Sequence, residues 1–243
     1  MTIADAFAHI QSLPPVPVIL TDTCSFIDLF RRDQSRFQPR VTAHEIQAAA
    51  NLLELVNDSP DAAHLMVPEL ILREYADHAD REESNFGSWT AFHDQNQDWL
   101  AEASLYVALA LPAPLLVHEF GLAARLRGLA NDLLAKATVL DRDQVCLDRA
   151  VVRLINKARP SHKKEMKDSM NLEQCLELSR RLEMAGFPKS RAWVSSNTND
   201  FAQTSTSSQL HADLQGDFTA AGLKYFTSLR SAMNHMRALG EIP

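Results

Sequence analysis

Glycine is scarce in this chain, at 7 of 243 residues, or about 3% against a typical ~7%. That scarcity excludes a body built on glycine-rich phosphate loops and favours a helix-rich one. GxGxxG, GxxxxGK[ST], GxSxG and HExxH are all missing, which removes the commonest nucleotide, serine-hydrolase and zinc-protease signatures. Cysteine is sparse too: Cys24, Cys146 and Cys175 are far apart, odd in number and form no CxxC. A disulfide framework and a zinc knuckle are therefore not expected, and a reducing cytoplasm fits. The longest apolar run, Leu105 to Val117, is broken by Pro112 and Pro114 and falls short of the ~20 residues a membrane span needs. The opening MTIADAFAHI lacks the basic segment of a secretory signal. Net charge is −7, so nucleic acid could be held only by a local basic patch.

What the chain does contain is an alternation of short apolar runs with helical periodicity. Val18-Ile19-Leu20, bounded by prolines, reads as a buried parallel strand. His64 to Pro68, Thr138 to Leu140, Ala192 to Ser195 and Leu223 to Thr227 read likewise. Helices are expected over 43–57, from 69 to about 79, from about 143 to 158, over 168–184 and over 228–239. Thr42 with Glu45 has the form of a capping box, and Asp141 or Asp143 is placed to cap the helix that follows it. The stretch 80–137 shows no strand alternation and reads as a helical insertion or cap. Strands separated by helices predict a single α/β domain over 1–243, with three α/β/α layers and a central parallel sheet.

In such sheets ligands bind at the carboxyl ends of the strands, and acids collect there. Asp22 follows the first strand, Glu69 and Glu74 the second, Asp168 opens a helix, and Asp200 lies in the turn after the strand at 192–195. Glu69 reads as a first-turn helix acid, which leaves Glu74 as the candidate from that junction. Carboxylates without His or Cys partners are hard oxygen donors, suited to Mg²⁺ or Mn²⁺ rather than zinc.

Four segments together resemble the motifs of the PIN domain family: Val18 to Thr23, Pro68 to Glu74, Lys167-Asp168, and Val194 to Phe201 with its SSNTNDF. The similarity is to the larger bacterial PIN-like proteins, relatives of the ribonuclease toxins of toxin–antitoxin pairs. It covers most of the chain and fits 80–137 least. The resemblance implies a metal-dependent endonuclease that hydrolyses phosphodiester bonds, with RNA as the expected substrate and DNA as the alternative. It maps the family's acids onto Asp22, Glu74, Asp168 and a fourth position, filled by Asp200 or by the uncharged Asn197. It also leaves open an antitoxin-like or other protein partner, and a homodimer. No membrane partner is expected.

Between Arg149 and Lys167 lie seven basic residues and one acid, a local +6 that leaves −13 for the rest. Arg149, Arg153 and Lys157 recur every four residues, opposite an apolar face of Leu147, Val151, Leu154, Ile155 and Ala158. With Lys163, Lys164 and Lys167 they form a candidate track for a nucleic-acid backbone running into Asp168. A solvated helix face is the plain alternative. The functional alternative is a catalytically weak PIN-like module that binds RNA or protein, with Asn197 and Cys24 as the departures from the family pattern that favour it.

Overall fold

The computed structural model describes residues 1–33, 38–58, 62–106, 117–161 and 166–243. Helix α1 (Ile3–Ser12) precedes strand β1 (Val18–Thr21), which runs into the short helix α2 (Cys24–Ile27). A small antiparallel ribbon, β2 (Arg32–Asp33) with β3 (Gln38–Pro39), leads to α3 (Ala43–Asp58) and β4 (His64–Pro68). Then come the long helix α4 (Glu69–Tyr106), α5 (Leu122–Lys136), β5 (Thr138–Leu140), α6 (Gln144–Ile155) and α7 (Lys167–Met184). The chain closes with β6 (Arg191–Val194), α8 (Thr198–Phe201), α9 (Ala212–Ala220), β7 (Lys224–Phe226) and α10 (Leu229–Ala238).

The five main strands form one all-parallel sheet in the order β5-β4-β1-β6-β7. β1 is central, with Leu20 in register with Met66 on one side and Trp193 on the other. Successive side chains of a strand point to opposite faces, and β1 uses both. Ile19 joins a core with α3, α4, α5 and α10, while Val18 and Leu20 join a second core with α1, α7 and α9. Every residue of β1 is buried, which is why the strand reads as a continuous apolar run. The three-layer α/β/α architecture expected from the alternation is the one observed.

From β1 the chain moves outward to β4 and β5, then crosses back to β6 and β7 on the opposite side. The strand order therefore reverses beside β1, and the crevice at its carboxyl end is where an open parallel sheet binds ligands.

Several expectations need correction. The helix expected to stop near residue 79 continues to Tyr106, through Gly87, because no proline interrupts the sequence from Glu69 to Tyr106. Its Ala79 and Phe86 pack with Ala123, Leu126 and Leu133 of α5 in the same core as Ile19. The first part of 80–137, expected as a helical insertion or cap, thus continues α4 into that core, and 107–116 lie outside the described residues. Helix α1 was not anticipated, although Ile3, Ala6 and Ile10 have helical spacing and are buried. Glu45 does not close a capping box on its own helix. Its carboxylate accepts from the backbone N–H of Leu229 at 2.6 Å and Arg230 at 3.2 Å, capping α10 instead. Asp143 does cap α6, accepting from Cys146 N at 3.1 Å, whereas Asp141 pairs with the N-terminal ammonium at 2.9 Å.

Candidate functional site

Asp22 continues directly from β1, held in the sheet by its N–H to Val194 O at 3.2 Å. One carboxylate oxygen, Oδ2, accepts from the Ser195 hydroxyl at the end of β6. The other takes Ser25 N at 3.3 Å. Glu74 lies on α4 beyond the end of β4, and its Oε2 accepts from Thr23 Oγ1 at 2.6 Å. Lys167 Nζ stands 3.9 Å from its other oxygen. Asp168 opens α7. Asn197, in the turn after β6, points its amide Nδ2 at Asp168 Oδ2 (3.5 Å) and at Asp200 Oδ2 (2.7 Å).

These residues surround one cavity of about 200 Å³, lined by Asp22, Glu74, Asp168 and Asn197 together with Thr23, Cys24, Ile27 and Asn171. Arg31, His78, Arg81 and Glu82 complete the wall. Folding thus gathers three of the four expected acids, from β1, α4 and α7, at the carboxyl end of the sheet. The fourth position resolves in favour of Asn197 as the group on the cavity wall. Asp200, 5% exposed, stands behind it and holds its amide. Glu69 lies away from the cavity and pairs with Arg142 at 3.6 Å.

The electrostatics of the floor are those of crowded, desolvated acids. Burial raises the Asp22 pKa to about 8 from an ordinary 3.8; the Ser195 hydroxyl offsets part of this, and the charges of Asp168 and Asp28 add to it. Cys24 is pushed well above its ordinary value by burial and then by Asp22, so its thiol is not an activated nucleophile. Asp28, 3% exposed, is raised by burial, with Ser196, Arg40 and Arg31 acting in the other direction.

Asp22, Glu74, Asp168, Asn197 and Asn171 present oxygen donors of the kind Mg²⁺ and Mn²⁺ prefer. Asn171 adds a specific sign. It is 2% exposed, it lines the cavity, and its Oδ1 has no hydrogen-bond partner among the described residues. A buried, unpaired amide oxygen costs about 1–3 kcal/mol, a cost removed by a ligand that offers it a proton or a positive charge. The side chains are nonetheless engaged by hydroxyl and amide donors of the protein. Among the described residues, no group of three or more His, Cys, Asp or Glu is arranged to hold a metal ion.

Compared with protein-family models, with curated proteins and with solved structures, the chain matches none. The functional reading therefore rests on this chain's own residues.

The basic track fares differently from the acids. Arg149 Nη1 donates to Glu177 at 2.6 Å, and Arg153 donates to Glu173 at 2.5 Å and to Asp217. The Arg153 side chain is only 12% exposed, so it is a buried strut tying α6 to α7 and α9; Arg149 also pairs with α7 but keeps its side chain 42% exposed. The reason is packing: Cys146 and Ala150 bury one face of α6, and Arg153, seven residues after Cys146, falls on that face. Ile155, expected inside, is 71% exposed. Lys157 is exposed, Lys163 and Lys164 lie outside the described residues, and Lys167 stands beside Glu74.

Reading the sequence missed Ser195, Thr23 and Asn171, and the wall formed by Arg31, His78, Arg81 and Glu82. The wall had a signal, since Glu74, His78 and Glu82 recur at four-residue spacing on one helix face. It became visible only once α4 was continuous past residue 79.

Proposed function

We propose that this chain is a PIN-like, divalent-cation-dependent nuclease that hydrolyses phosphodiester bonds, with RNA as its substrate. The observation that carries the reading is the convergence of Asp22, Glu74 and Asp168 on one cavity at the reversal point of the sheet, with an Asn171 oxygen beside them that has no partner among the described residues. Asp22, Glu74 and Asp168 are the residues that hold Mg²⁺ or Mn²⁺, with amide oxygens of Asn197 and Asn171 as neutral donors. The cation, when bound, neutralises phosphate charge and makes water a better nucleophile.

The protein's own residues supply positioning. Ser195 fixes one oxygen of Asp22, Thr23 fixes one oxygen of Glu74, and Asp200 fixes the amide of Asn197. Lys167 brings positive charge beside Glu74, which a phosphate-bearing substrate requires among carboxylates. Among the described residues, no helix is long and apolar enough to cross a membrane.

A second reading, a catalytically weak module that binds RNA or protein, draws on the same donor set: Asn197 stands where a charged ligand is expected, and no metal-ready group of three occurs among the described residues. A cleavage assay separates the two. The nuclease reading expects generic single-stranded RNA to be cut with Mn²⁺ and spared on adding EDTA. Binding of RNA without any Mn²⁺-dependent cutting selects the second reading.

A further inference from the structure

The wall of the acid cavity formed by α4 carries a second kind of chemistry. Glu74, His78 and Glu82 follow one another at four-residue steps, so they project from one side of the helix. Glu82 is 5% exposed, although it is a carboxylate on a helix. Its Oε1 accepts from Arg81 Nε at 3.3 Å and Nη2 at 3.0 Å. Its Oε2 stands 3.8 Å from Arg31 Nε, which comes from the chain just after α2 and whose Nη1 also stands 3.6 Å from Oδ1 of the buried Asp28. Arg81 Nη2 also lies 3.2 Å from His78 Nδ1.

A buried carboxylate needs a cationic partner, and one guanidinium supplies it. Here two converge from different parts of the chain, with side chains 61% and 43% exposed, and both line the cavity. Each guanidinium has five N–H donors in a planar fork that matches phosphate oxygens, and these contacts engage only some of them. Glu82, helped by Asp28 at Arg31, thus holds two forks beside the acids and leaves part of each fork unengaged.

We infer that Arg31 and Arg81, positioned by Glu82, form a subsite for the backbone phosphate adjacent to the one cleaved. The inference rests on the nuclease reading for the identity of the ligand. Arg81 is seven residues beyond Glu74, so its backbone lies about 10 Å further along the helix axis, and its guanidinium reaches back as far as His78. This sets the pair beside the acids, at the place of a neighbouring phosphate rather than the reacting one. The ligand is taken as a single strand, as in the nuclease reading.

The test compares a diuridine with one internal phosphate against the same dinucleotide carrying an added 5′- or 3′-phosphate, both with Mn²⁺. For the unaltered protein, KM is expected to be about tenfold lower for one of the phosphate-bearing substrates. Arg81→Ala and Arg31→Ala are expected to erase that preference while kcat and KM on the single-phosphate substrate stay as they are. Arg81→Lys restores only part of it, because it keeps the charge and loses the fork. Glu82→Gln shifts KM in the same direction with little change in kcat, the mark of a positioning role. Equal effects on both substrates, or none, overturn the subsite.

Calorimetric titration with inorganic phosphate, without metal, supplies a readout that does not need catalysis. Binding that is lost in Arg81→Ala supports the subsite even if no substrate is cut and no Mn²⁺ binds, an outcome that removes the nuclease reading alone. Cleavage that proceeds with neither phosphate binding nor substrate preference dependent on Arg81 or Arg31 removes the subsite alone.

Discussion

Ser195 donates its hydroxyl to Asp22 across 173 residues of sequence, joining the ends of two neighbouring parallel strands. The same Ser195 oxygen accepts from Asn197 N at 3.2 Å. One hydroxyl therefore orients both the buried acid and the turn that carries the amide on the cavity wall. Replacing Ser195 with Ala should leave the fold intact, weaken Mn²⁺ binding by about tenfold, and lower cleavage in proportion. Unchanged Mn²⁺ affinity in this variant would detach Ser195 from the site.

The proton on Asp22 makes stability depend on pH in a defined direction. Its pKa is about 8 in the folded protein against an ordinary 3.8, so between these values the folded state holds a proton that the unfolded chain releases. Stability from this group is complete below about pH 4, falls by roughly 1.4 kcal/mol per pH unit above it, and levels off past about pH 8. Asp22→Asn removes the dependence. Thermal melts without metal should show the variant gaining on the unaltered protein as pH rises from 4 to 8, with the two curves meeting at the acid end. Parallel curves across that range would contradict the assignment.

The acids should also be separable from the fold by their response to cations. Divalent cations bind deprotonated carboxylates and release their protons, so Mn²⁺ affinity should climb with pH up to about 8. Asp168→Asn and Glu74→Gln should each cut Mn²⁺-induced stabilisation and reduce cleavage by at least ~100-fold, with native circular dichroism. Retention of the Mn²⁺-induced shift in both variants would place the cation elsewhere.

Arg153 gives the opposite expectation. Its ion pairs with Glu173 and Asp217 make it a structural strut, and Glu173 is itself 2% exposed. Arg153→Ala should destabilise the protein by about 2 kcal/mol in denaturant melts and leave RNA affinity unchanged below the transition. Lys167→Ala, at an exposed position beside Glu74, should do the reverse and flatten the salt dependence of RNA binding.

Further along α4, Asp94 accepts from both the backbone N–H and ring Nδ1 of His118, at 2.7 Å and 2.5 Å. Burial raises its pKa, but these bonds outweigh it and bring the value to about 2. This contribution is present above pH 3.8 and lost as pH falls through about 2. Asp94→Ala should lower the melting temperature at pH 7 without altering cleavage.

The sheet was legible because β1 and β4 are buried on both faces and so read as apolar runs, and because a polar junction follows each. Asp22, Glu74 and Asp168 were legible for the same reason: a doubly wound topology brings the carboxyl ends of its strands to one edge. The order of Asn197 and Asp200 was not, since the short helix α8 decides which of them faces the cavity. Ser195 was hidden because its contact depends on the β1–β6 register. Arg153 was misplaced because charge periodicity describes a helix face without saying what packs on it; the small Cys146 and Ala150 allow α7 to approach, and its Glu173 and Glu177 take up the arginines. Glu82 is hidden because a helix ended near residue 79 stops three residues short of it.

The central claim, that distant acids fold into one cation-holding pocket, is tested most directly by titrating the metal-stripped protein with Mn²⁺ at pH 8 and measuring the free ion by electron paramagnetic resonance. The account predicts saturable binding in the unaltered protein, lost in Asp22→Asn and in Asp168→Asn. Identical titration curves for all three proteins, or no binding by the unaltered one, would contradict it.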